Sequence, residues 1–273
     1  MTRALGPLHG VRVGFDRIRL EMLEYSRRTD NVFFTFMFPI MMLLIFGSAF
    51  ANADPIPLPS GELDMGRTML PAMAASAILL SGTQNIALSV GVERWDGTLR
   101  RLSAMPIPLG SYFFGKFGQV VLTSVVQMAA LLAVGRFVFG FDLPQTSEQW
   151  LVFSWAYALG LLCFSLLGLV LAQVPRSVNS VSSIVLPVVL IPQFISGIYL
   201  TITMLPDWLI QVANVLPLAW LGHAMRFAFL PEDARLVELN EEWDLARAAL
   251  MLGIWSVAAL AAALLTFRWV KRS

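Results

Sequence analysis

Apolar residues in this chain neither alternate nor keep to one helical stripe. They run on for about twenty residues at a time, the length of a membrane-crossing helix. Six uncharged runs, 32–50, 69–92, 117–135, 149–175, 177–206 and 248–267, can each cross about 30 Å of hydrocarbon. A seventh, 208–225, is borderline. The fifth run would measure about 45 Å as one helix at 1.5 Å per residue. That is too long to stand upright, so Pro187, Pro192 and Gly197 are expected to kink it or end it early.

Composition agrees with the pattern. Hydrophobic residues make up 57% of the chain and charged ones 14%, against about 25% charged in a soluble domain. Mean hydropathy is +0.71. The expectation is one all-α integral membrane domain, 1–273, with six transmembrane helices. A net charge of +1 gives no field for nucleic acid, and no such partner is expected. Cys163 sits in an apolar run and reads as a small core residue. With two distant histidines, His9 and His223, it cannot make a structural zinc site, and no metal is expected.

Charge also orients the spans. With both termini in the cytoplasm, the inner segments hold 14 of the 19 Lys and Arg residues, which satisfies the positive-inside rule. Of the 18 acidic residues, 12 fall outside. Counting 208–225 as a separate span would reverse both assignments for the segments after it, putting 232–244 inside and the C-terminal tail outside. It is therefore read as an outer re-entrant segment, 207–230, broken into two short helices by Pro206 and Pro217.

Six arginines precede Asn31 with no apolar run of signal-peptide length, so no signal peptide is expected there. Within 1–30, Val11, Phe15, Ile18, Met22 and Tyr25 recur at helical spacing beside Arg12, Arg17, Arg19, Arg27 and Arg28. This predicts an amphipathic helix lying on the membrane surface or, alternatively, an ordinary soluble one.

The stretch GSYFFGK, 110–116, has the glycine and lysine spacing of a phosphate-binding loop. The next residue is Phe117 instead of Ser or Thr, and a membrane run follows instead of a nucleotide-binding fold. Lys116 is expected instead to mark the end of the third span, its ammonium reaching to the interface. Before it, 93–105 predicts a short cytoplasmic helix. Trp95, Leu99 and Leu102 share one face, Asp96 and Arg100 are spaced for an ion pair, and Arg94, Arg100 and Arg101 make a basic side. Such a helix suits a groove on another protein, and equally suits the bilayer surface.

This stretch resembles the signature of the ABC type-2 transporter permeases through Glu93, Arg94, Gly97, Thr98, Leu99, Pro106, Gly115 and Lys116. A second similar run contains Ser196, Gly197, Leu205, Pro206, Trp208, Leu209, Pro217, Leu218 and Arg226. The most similar subgroup is the daunorubicin-resistance type of drug exporter permease. The resemblance implies a translocating subunit that is not itself an enzyme and carries no cofactor. ATP and magnesium would be bound by a separate ATPase subunit, present in two copies. A second permease chain, identical or related, would complete the pathway in the cell membrane. Glu93, Arg94, Trp95, Gly97, Thr98, Leu99, Arg100 and Arg101 would form the coupling helix. Ser196, Gly197, Pro206, Trp208, Pro217 and Arg226 would belong to the re-entrant segment.

The spans themselves hold almost no ionisable residues, whereas an ion-coupled carrier needs them near the midplane. An intramembrane enzyme would need a metal motif, paired carboxylates or a Ser/His pair within the spans. Those two alternatives are therefore weaker. Gln84, Asn85, Gln119, Gln127 and Gln193 are among the polar residues of the runs. They are expected to bond helix to helix, with Asn85 and Gln193 the candidates for contact with a hydrophobic or amphipathic cargo.

Overall fold

A computed structural model describes residues 7–27, 29–50, 53–59, 61–104, 109–199, 206–238 and 242–267. Pro106, Pro108, Leu205 and the basic residues after Phe267 lie outside the described residues, as does Met105 at the end of the expected coupling helix. The chain is an all-α integral membrane protein, with one small hairpin among the described residues. Helices α1 (Pro7–Arg27) and α2 (Thr29–Phe50) lead to an antiparallel pair, β1 (Ile56–Leu58) and β2 (Gly61–Leu63). Next come α3 (Met69–Leu79), α4 (Asn85–Trp95), α5 (Thr98–Ser103), α6 (Leu109–Val138) and α7 (Ser147–Leu171). Helices α8 (Val178–Ile195), α9 (Asp207–Ala213), α10 (Pro217–Phe229) and α11 (Leu245–Thr266) complete the order.

Among the described residues, five helical stretches are long and apolar enough to cross a membrane: Met65–Trp95, Gly110–Val138, Ser147–Leu171, Val178–Ile195 and Leu245–Thr266. The first expected run contributes Thr35–Phe50, apolar but shorter. Met65–Trp95 is the central one, 83% buried in its most apolar window, against 22% for Val178–Ile195 and 28% for Leu245–Thr266. Every residue of α3 is buried, with α2, α6, α7 and α10 packed around it.

Local chemistry explains the boundaries. Thr146 and Ser177 start α7 and α8 with reciprocal capping boxes to Gln149 and Ser180. Helix α8 keeps Pro187 and Pro192 inside it and ends where Gly197 adopts φ +71°. The Ile198 N–H then reaches back to the Gln193 carbonyl, closing the helix end. Pro206 precedes α9 and Pro217 opens α10, as their fixed φ suits them to do.

Two features have no periodic signal in the sequence. Residues Leu80–Gln84 form a π-turn between α3 and α4. There Gly82 lies so close to α7 that an added Cβ would be 2.8 Å from that of Phe164. Thr83 donates its hydroxyl to the Phe164 carbonyl at 2.8 Å. The second is the hairpin, inside a segment that reads only as a proline-rich loop. Leu63 buries itself against Leu230 and Ala234 and anchors it.

Candidate functional site

The chemistry gathers at the end of the bundle where α4 stops and α5 begins. The expected helix 93–105 is divided: Glu93, Arg94 and Trp95 complete α4, and α5 spans Thr98–Ser103. Gly97 makes the break, with φ +83°, a left-handed conformation that L side chains resist. Asp96 accepts the Thr98 N–H at 2.8 Å, so its carboxylate caps α5 instead of pairing with Arg100.

The expected coupling residues divide by direction. Leu99 is buried and joins the core. Arg94 donates to the Gln173 carbonyl at 3.0 Å and to its side-chain oxygen at 2.7 Å, and the Trp95 indole donates to the Pro175 carbonyl at 3.0 Å. These bonds tie the end of α4 to the α7–α8 connection. Arg100, Arg101 and Ser103 are exposed, and Arg101 also donates to the Thr98 hydroxyl at 3.0 Å.

Glu93 does not face outward. It is 2% exposed, accepts the Tyr112 hydroxyl at 2.8 Å and pairs with Lys116. Lys116 also pairs with Glu21 of α1 at 2.6 Å, and Arg17 reaches Glu21 at 2.7 Å. The lysine expected to reach the interface is itself 2% exposed. Carboxylates from two other helices meet it inside the bundle, so it has no need of water. Removing one partner of such a buried set costs about 3–5 kcal/mol, because it strands the remaining charge.

Close backbone approach makes this meeting possible. A Cβ on Gly115 would lie 2.3 Å from Arg17 Cγ, and one on Gly118 2.4 Å from Ile18 Cδ1. The glycine and lysine of the phosphate-loop-like stretch thus do packing work: Gly115 admits α1, and Lys116 holds it. The face of α1 turned inward carries Gly14, Glu21 and Tyr25, while Phe15, Leu20 and Leu23 are exposed. Val11 and Arg12 have no described side chains.

Among the described residues, the carboxylate oxygens of Glu21, Glu24 and Glu93 lie close enough together to share a cation. The Lys116 ammonium already sits on two of them. Beside it is a small half-open cavity lined by Glu21, Glu24 and Tyr25 of α1, Asn85 and Ser89 of α4, and Lys116 and Gln119 of α6. Asn85 borders it, 4% exposed, with no hydrogen-bond partner for Nδ2. Gln193 is fully buried on α8, where its oxygen accepts from Ser76 of α3 and, at 2.6 Å, from Tyr199. Gln127 bonds Ser81 and the Thr35 carbonyl in the same cross-linking manner.

A second buried network lies at the hairpin end. Arg226 of α10 pairs with Glu238, and His223 Nδ1 lies 2.9 Å from the same carboxylate. His223 Nε2 accepts the Asp244 N–H at 3.1 Å, so the proton of a neutral ring sits on Nδ1 and is donated to Glu238. Burial alone would raise the Glu238 pKa. The Arg226 charge and the hydrogen bonds from His223 and Arg226 overcome it and hold the group at about 2. Of the other re-entrant residues, Ser196 and Pro217 are buried, while Pro206 and Trp208 are exposed.

A helical membrane bundle with its charges paired at the ends, and a short basic helix projecting from one of them, has the build of a transporter's membrane part. Residues 18–230 match the family model of the ABC-2 type transporter, and the chain belongs to that family. It is similar to the ABC transporter G family member 20 of Dictyostelium discoideum, 29% identical over 158 residues. That alignment covers 58% of this chain and 21% of the relative, so it spans about a fifth of the relative's length.

Proposed function

We propose that this chain is the membrane-spanning permease subunit of an ATP-driven exporter, powered by a separate ATPase subunit that docks on α5. One observation carries the reading. Helix α5 presents Arg100, Arg101 and Ser103 to solvent while Leu99, Arg94 and Trp95 bind its root firmly to the bundle. A surface helix resting on lipid has no need of so stiff a root. A helix that receives force does.

On this reading, ATP and magnesium belong to the partner, in two copies, and a second permease chain completes the pathway. Both termini lie in the cytoplasm and the protein sits in the cell membrane with six crossings. Helices α9 and α10 form the outer re-entrant segment. ATP binding shifts the permease between inward- and outward-open states only through its differential affinity for them, delivered at α5. The cargo is hydrophobic or amphipathic. Asn85, bordering the cavity with an amide N–H to spare, is the better candidate for a polar contact with it; Gln193 is already engaged by Ser76 and Tyr199.

Purification from native membranes tests the proposal. An ATPase should accompany the parent chain and be lost from Arg100→Glu/Arg101→Glu at unchanged membrane insertion. Gly97→Pro, which cannot adopt the positive φ, should retain insertion and lose coupling between hydrolysis and efflux. A parent chain that arrives without any ATPase refutes the reading.

A further inference from the structure

Resting on the permease reading, we propose that Glu21, Lys116 and Glu93 act as positioning residues, locking the ends of α1, α4 and α6 into one rigid joint. Movement imposed on α5 is then passed to α1 and α6 and not absorbed locally.

Covalent connection does not supply this link. Helix α5 hangs from α4 by Asp96 and Gly97, and Gly97 has no neighbour within 4 Å of where a Cβ would stand. A push on α5 could be dissipated at that turn or by sliding of α4 against its neighbours, since apolar contact is non-directional. Burial of Leu99 in the core opposes the first, and two sets of directional bonds oppose the second. Arg94 and Trp95 fix the α4 end to the carbonyls of Gln173 and Pro175. Glu93 fixes it to Lys116 and Tyr112 of α6, and Lys116 carries the connection on to Glu21 of α1. Arg17 faces the same carboxylate from within α1. Glu21, Glu93 and Lys116 are each under 5% exposed, where a broken pair finds little water to compensate it. Independently, the near-contact of Gly115 with Arg17 and of Gly118 with Ile18 leaves α1 and α6 no room to shift closer.

The test uses the complex with its co-purified ATPase in lipid nanodiscs, with spin labels at Arg27→Cys on α1 and Ala104→Cys at the end of α5. Both positions are exposed, and the one native cysteine, Cys163, is buried. In the parent, the interlabel distance should be the same without nucleotide and after trapping with ATP and vanadate. In Glu93→Gln/Lys116→Met, which removes one charge of each sign and leaves the Arg17–Glu21 pair whole, the distance should broaden and change with nucleotide. ATP hydrolysis should continue. A purely stabilising role would leave the folded double variant with the parent's distances, and that result overturns the proposal. So does a parent distance that changes on trapping, a measurement needing no variant to fold. Failure of the permease reading is seen separately and earlier, as absence of any co-purified ATPase.

Discussion

Both ends of the bundle bury charge, but they do so over different distances along the chain. At the hairpin end, Glu238 meets Arg226 and His223 only 12 and 15 residues away. That network braces the connection between α10 and α11. At the α5 end, Lys116 joins Glu93, 23 residues back, and Glu21 on the first helix. It ties α1, far away in the chain, to α4 and α6, which the α5 connection already joins there. A local network can be broken and leave the bundle standing, whereas a long-range one sets the helices' mutual position. The difference suits one end to a folded cover and the other to transmitting force.

Variants can sharpen that contrast. Lys116→Met leaves the buried Glu93 carboxylate with only the Tyr112 hydroxyl, while Glu21 keeps Arg17; it should cost about 3–5 kcal/mol, read as thermal unfolding in detergent. Arg226→Met should cost about 1.5–3 kcal/mol, because His223 still holds Glu238. Loss of the same size from both would erase the distinction between joint and brace. Gly115→Ala forces a methyl against Arg17 and should cost about 1–3 kcal/mol, with α1 displaced from α6; protease access to α1 checks the displacement.

The hairpin end should also respond to pH. Glu238 has its pKa lowered from 4.5 to about 2 in the folded chain. Its contribution to stability is therefore full above about pH 4.5, and it is lost as pH falls toward 2. The unfolding temperature should show this decline in the parent and a weaker one in Arg226→Met. An equal decline in both would mean that Arg226 does not hold the carboxylate.

Much of the scaffold is legible in the sequence because its signals are local. Uncharged runs, the caps at Thr146 and Ser177, and the breaks at Pro206, Pro217 and Gly197 each depend on residues within a few positions. The π-turn is not legible, since one extra residue in a uniformly apolar run leaves no mark on its pattern. The division of 93–105 was available in the dipeptide Asp96-Gly97, a turn signal that the helical spacing of Trp95, Leu99 and Leu102 outweighed. The joint at Lys116 is the instructive case. Glu93 and Lys116 are opposite charges bordering two successive apolar runs at the same membrane face, which is a pairing signal. Glu21 has no such mark. Its place depends on how α1 crosses α6, and that is fixed by packing at Gly115 and Gly118.

The central claim is that force enters through α5, and a photo-crosslinking amino acid at Ser103 tests it most directly. In native membranes the account predicts capture of an ATPase subunit, abolished by Arg100→Glu/Arg101→Glu. Capture of lipid alone, with transport intact, would contradict it.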